Sequence, residues 1–199
     1  FRVDAWVRGY NPATRVVGPL TADRTENFTL SVDGAACNAP GYYGGVGFAE
    51  NFDSATPPNL PANWAKVDVS GAAGDWATSA GTVHPPGASP HSLPNLVYFN
   101  SYTADSGSQT RLYRTVGTDM RGLVPTLRFW MYHDTDWSLL NDRVQVQVST
   151  NGGATWTNVG PAIYRYDGSV GWKEHTVDLS AYGSQTDLRV GFLGISAWG

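Results

Sequence analysis

A chain of 199 residues with a net charge of −4, 41% hydrophobic residues and one cysteine has room for one large β domain or two small ones, and is too apolar to be a disordered tail. Its acids are 14 Asp to 3 Glu and its bases 11 Arg to 2 Lys, which removes the residues that exposed helix faces use, while 23 Gly, 12 Pro, 8 Trp, 10 Tyr and 7 Phe suit short strands and tight turns. An all-β protein is predicted; with no Lys/Arg-rich run and no stretch of about 18 apolar residues, nucleic acid and membrane insertion are excluded as partners.

The chain opens on an alternating run, Phe1 to Arg8, with neither Met nor a basic and apolar leader, and so reads as a piece of a longer polypeptide. After the turn-rich Gly9-Tyr10-Asn11-Pro12, a second alternating run at Asn27–Val32 places Phe28, Leu30 and Val32 on one face. Two or three strands do not make a stable core. Residues 1–36 therefore read as the C-terminal part of an upstream sandwich and 37–46 as a linker. Cys37 has no internal partner, so any disulfide it forms is with a residue outside this chain.

A second unit spans 47–199. Residues 54–96 are rich in Pro, Gly, Ser and Ala and predict long loops around short strands such as Trp64–Val69. The later half is more regular. Leu127, Phe129 and Met131, then Val144, Val146 and Val148, then Leu188, Val190 and Phe192, each line one side of a sandwich core. Thr150-Asn151-Gly152-Gly153-Ala154 predicts a hairpin between the second of these strands and the next.

No hydrolytic constellation is evident. Gly87-Ala88-Ser89-Pro90-His91 fails the nucleophile-elbow pattern, His-Glu-x-x-His does not occur, and His84, His91, His133 and His175 are widely spaced, so they read as solvated or structural. Asp134, Asp136, Asp142 and Glu174 read as turn and cap residues rather than as a carboxylate pair. The stretch from Ser149 to Trp156 resembles one Asp-box hairpin, and a single copy without a repeat implies no propeller. If the three apolar rows face the core, Arg128, Trp130, Tyr132, Arg143, Gln145 and Gln147 share the opposite face, joined by Trp137 from the following loop. Flat rings beside planar amides and guanidinium groups suit a sugar or a peptide. The competing reading has Trp130 and Tyr132 packed beneath the loop that holds Asp134 to Trp137.

Phe48-Ala49-Glu50-Asn51-Phe52-Asp53, Leu60-Pro61-Ala62-Asn63-Trp64, Leu127-Arg128-Phe129-Trp130, the stretch from Asp142 to Trp156, that from Trp172 to Tyr182, and Leu188-Arg189-Val190-Gly191-Phe192 resemble, in this order, MAM-like jelly-roll domains, a set that includes the choice-of-anchor and cleaved-adhesin groups of secreted bacterial proteins. Residues 1–43 resemble the end of a carboxypeptidase-regulatory-like β-sandwich. The resemblance implies a jelly-roll β-sandwich over 47–199 that lacks its last strand. It further implies a non-catalytic binding or adhesion module of a secreted or cell-surface protein, with a glycan or protein ligand, or alternatively a structural spacer of a secreted peptidase. A structural calcium ion is implied with it, held by Glu50, Asp53 and Asn100. Ending at Gly199 is expected to leave Phe48 to Phe52 as an exposed, unpaired edge, open to other segments of the same parent polypeptide.

Overall fold

Described are residues 1–7, 10–19, 21–32, 45–70, 74–135 and 142–197 of a computed structural model, which divides into two units, Phe1–Val46 and Gly47–Gly199. Cys37, most of the linker, Asp136, Trp137, Trp198 and Gly199 lie outside the described residues.

In the first unit β1 (Arg2–Ala5) pairs antiparallel with β2 (Ala13–Val16), Arg2 opposite Val16. This corrects the strand expected at Asn27–Val32, of which only Val32 forms a bridge, to Tyr10. The nearer segment wins because closing the shorter loop costs less chain entropy. Residues 26–28 instead serve side chains of β2: Arg15 pairs with Glu26 at 2.7 Å and lies over the Phe28 ring at 5.3 Å.

The second unit is a jelly-roll β-sandwich. Its strands are β3 (Trp64–Ser70), β4 (Asp75–Ser79), β5 (Leu96–Asn100), β6 (Gln109–Arg114), β7 (Thr126–His133), β8 (Arg143–Ser149), β9 (Thr157–Asn158), β10 (Ile163–Tyr164), β11 (Gly171–Asp178) and β12 (Arg189–Ile195). Among the described residues, helix is confined to one 3-10 turn, Ser180–Tyr182. A six-stranded sheet runs β10-β8-β12-β6-β3, with β9 also on β8, and the strand pairs β11-β7 and β4-β5 complete the fold. All the strand pairings are antiparallel.

The alternating rows meet where the layers face each other. Leu127 of β7 and Val177 of β11 are buried with Val146 and Val148 of β8 and Val190 of β12, and Phe129 and Phe192 pack at their edge. A second cluster joins Trp64, Trp76 and Leu112 to Val97 and Phe99. The strands approach closely there: a Cβ at Gly194 would lie 2.5 Å from the Phe99 ring, so β12 needs a glycine at that point.

Residues 48–52 do not form the exposed edge strand expected for them. Phe52 has φ of 63°, and its N–H turns back to donate to Glu50 Oε1 at 2.7 Å, so the segment curls. Both rings are half-buried against Trp64, Phe48 at 6.5 Å and Phe52 at 5.5 Å between centroids, because packing there removes apolar surface from water.

Candidate functional site

Antiparallel register sets Trp172 of β11 opposite Tyr132 of β7, and Glu174 opposite Trp130. Since Leu127 and Val177 point into the core, Arg128, Trp130 and Tyr132 share the outward face of this two-stranded sheet with Trp172 and Glu174. The rings form a row. Tyr132 meets Trp172 edge-on at 5.5 Å, and His91, from the loop before β5, stacks on Trp130 at 4.0 Å while touching Trp172 edge-on at 5.8 Å. Trp172 Nε1 donates to Ser89 O at 3.0 Å, and Pro90 between these contacts is buried. Trp130 nevertheless stays 46% exposed. At the end of the row Arg128 faces Glu174 at 3.7 Å, so cation, anion and aromatic surface lie side by side.

Gln145 and Gln147 do not belong to this face. Their strand, β8, sits in the other sheet, so their outward side is the opposite side of the sandwich from Trp130. Both are buried and engaged: Gln145 Nε2 donates to Val159 O and Gly160 O at 3.1 and 3.2 Å, and Gln147 Nε2 donates to Asn158 Oδ1 at 2.8 Å. The error has a physical origin, since alternation reports which side of a strand is buried and says nothing about which sheet the strand joins. Among the described residues, the loop that covers part of the aromatic row is 89–91; of the segment expected there, Asp136 and Trp137 lie outside the described residues. His91 and Trp172 are the residues that sequence reasoning left out. Trp172 carried a usable signal, since it alternates with Glu174 and Thr176 against the inward Val177; a loop contact such as His91 leaves none.

The expected calcium ligands separate into two places. Glu50 Oε2 accepts from Trp64 Nε1 at 3.1 Å, and Asp53 N donates to Asn51 Oδ1 at 3.2 Å, so Glu50 and Asp53 hold one tight turn. Asn95, just before β5, reaches this turn by donating to Phe52 O and Ala55 O at 3.2 and 2.9 Å. Asn100 is at the far end of β5, about 16 Å along the strand from Asn95 at roughly 3.3 Å per residue. Asp53 Oδ1 and Asn100 Oδ1 are both buried without a hydrogen-bond partner among the described residues. An unpartnered carboxylate oxygen is a donor of the kind a hard cation takes.

Inward of the aromatic row, β7 and β11 bring His133 and His175 together with Nε2 atoms 2.8 Å apart. His133 is buried, and its Nδ1 faces Arg165 O at 3.2 Å and the Asp167 carboxylate at 3.4 Å. Burial lowers the pKa of both rings; the Asp167 charge opposes this at His133, and the neighbouring imidazole adds to it at His175. Asp134 and Asp142 share the Arg165 guanidinium, at 3.3 and 3.7 Å, so the described acids of that region are held as ion pairs. Asp136 lies outside the described residues.

No protein-family model matches the chain, and no curated protein matches it. Among solved structures it is similar to the K2 cleaved adhesin domain of Lys-gingipain, with a TM-score of 0.54, 22% identity, and coverage of 75% of this chain and 90% of that one. It is also similar to the K1 cleaved adhesin domain of Lys-gingipain from Porphyromonas gingivalis W83, with a TM-score of 0.46, 19% identity, and coverage of 75% and 97%. At this identity the likeness to the K2 domain establishes a shared all-β fold, and it does not reach the MAM-like or choice-of-anchor groups.

Proposed function

We propose that the chain is a non-catalytic binding module of adhesion type, part of a larger secreted or cell-surface polypeptide, whose ligand surface is the outward face of β7 and β11. The observation that carries this reading is Trp130, nearly half exposed on a sheet face, stacked on His91 and opposite Glu174 of the Arg128–Glu174 pair in register. A rigid ring with charged groups beside it suits a glycan or a protein side chain. Residues 1–36 are the C-terminal part of a preceding β-sandwich and 37–46 a linker in this reading, and other segments of the parent polypeptide are its natural neighbours.

The test is a binding screen of the full chain against glycans and extracellular-matrix proteins, followed by Trp130→Ala. Loss of at least about tenfold in affinity, with the melting temperature nearly unchanged, is the expected result. Unchanged affinity removes the face from the account. One observation favours a second reading, a structural spacer of a secreted peptidase: the 89–91 loop already lies on the aromatic row and buries Pro90 there. A screen in which no ligand titrates would select it.

Calcium is proposed as a structural ion at the turn of Glu50 and Asp53, with the unpartnered Asp53 Oδ1 as the supporting observation. An ion that binds only the folded state raises its stability by mass action. Millimolar calcium is expected to raise the melting temperature relative to chelator, and Asp53→Ala to abolish the difference. Identical melts in calcium and chelator would remove the ion.

A further inference from the structure

The strand positions on the outward face of the large sheet carry cations and no acid. Register sets Arg111 of β6, Arg143 of β8 and Arg189 of β12 on that face, and none of the outward positions of the six strands is Asp or Glu, although the whole chain is acidic. Arg189 is paired with Asp187 at 3.4 Å. Arg111 makes no ion pair among the described residues.

Its orientation is fixed all the same. Arg111 Nε donates to Gln147 Oε1 at 2.6 Å, and Gln147 in turn donates to Asn158, so a buried amide holds the guanidinium by one edge. The Arg111 guanidinium carbon lies 4.8 Å from the centroid of the Trp156 ring, and Tyr113 meets that indole edge-on at 5.6 Å. Trp156 is itself anchored, its Nε1 donating to Gly153 O at 3.0 Å within a hairpin tied by Thr155 N to Asn151 Oδ1 at 2.9 Å. The indole lies on the sheet only because residue 191 is glycine, whose Cβ would stand 2.9 Å from the ring. The four N–H donors on the two Nη atoms of Arg111 meet no protein acceptor among the described residues.

A half-buried guanidinium without an anion is an incomplete pair, and burial lowers its pKa without removing its charge. A carboxylate is the group whose geometry matches the free edge of the fork. The surroundings are two rings set edge to face and two amides, all anchored on a sheet, which fits the apolar face and hydroxyls of a pyranose better than a flexible chain. We propose that this face is a second binding site, for a carboxylate-bearing sugar residue, with Arg111 taking the carboxylate and Trp156 and Tyr113 the ring. It stands independently of the aromatic row on the small sheet.

The probes are tetragalacturonate and a hyaluronan tetrasaccharide, each alongside its methyl ester, titrated calorimetrically into the full chain. At least one acid should bind, and its ester should bind at least about tenfold more weakly. Arg111→Gln, checked for an unchanged melting temperature, should show the same loss, whereas Trp130→Ala should leave the affinity intact. The ester comparison uses the native chain, so it decides the matter even where Arg111→Gln perturbs folding. The proposal is overturned if neither acid titrates, if ester and acid bind alike, if a folded Arg111→Gln variant binds normally, or if tetraglutamate binds as tightly as the sugars.

Discussion

On the small sheet the outward rings meet one another and a loop, Trp130 stacked on His91 and Tyr132 edge-on to Trp172, whereas on the large sheet one indole lies against a glycine with an arginine over its ring. The first face carries an exposed ion pair and is stitched to a distant part of the chain by the Ser89 carbonyl. The second is stitched within itself, through Arg111, Gln147, Asn158 and the hairpin that holds Trp156. A face that depends on a loop can be opened by moving the loop; a face built from its own strands changes only if the strands do. Both stand on the same core, and that dependence is the first thing to break.

Leu112, 1% exposed, lies between Trp64 and Trp76 beneath the large sheet. Leu112→Ala is expected to cost about 2–5 kcal/mol by leaving a cavity. Urea unfolding followed by tryptophan fluorescence measures it, and both faces should lose their binding together as the core weakens. A loss confined to one face would mean that the two layers fold separately.

A smaller and one-sided effect is expected from Gly191→Ala. The added methyl meets Trp156 at 2.9 Å and the Arg111 side chain at 3.2 Å, so either the indole lifts off the sheet or the strand shifts, at a cost of about 1–3 kcal/mol. Near-ultraviolet circular dichroism should register the moved indole, and uronate binding should fall. The small-sheet face should be untouched. A variant with a native spectrum would show that the indole has room to spare.

How much of this was legible in the sequence follows from what alternation encodes. Val144, Val146 and Val148 mark β8 because one side of that strand faces the apolar core, and the same pattern marks β7 and places Trp130 and Tyr132 outward. Sheet membership is a property of pairing, which no single strand contains. Strands β7 and β8 are consecutive in the chain yet sit in different sheets, so grouping Gln147 with Trp130 joined two opposite faces. Alternation is also insufficient by itself, as Asn27–Val32 shows: without a partner along its length it contributes one bridge. Gln147 lies on the side of β8 away from the core, but its role in aiming Arg111 depends on Gly191 and on a ring 45 residues further along the chain than Arg111, a coincidence that only the folded register creates.

The subtlest difference between the faces is their response to acid. Only the small sheet has the His133–His175 pair behind it. The Arg165 carbonyl can only accept, so His133 carries its proton on Nδ1, presents a lone pair at Nε2, and receives the Nε2–H of His175. That arrangement holds two neutral rings and has no place for a further proton on the shared edge. Charged neighbours act in both directions, Asp167 favouring a cation at His133 and Lys173 opposing it, but burial dominates and both folded pKa values lie below the ordinary histidine value of about 6.5. The unfolded chain therefore binds more protons than the folded one below that value. The stabilisation is fully present above about pH 6.5 and is lost as the pH falls through the lower, folded values. Amide hydrogen exchange at pH 7 and pH 5, corrected for intrinsic rates, should show β11 losing protection at the lower pH while β6 and β12 keep theirs. His175→Gln, which retains a donor for His133 but removes one titrating ring, should flatten the response. Equal protection of β11 at both values would show that the pair accommodates its proton and that acid does not distinguish the two faces.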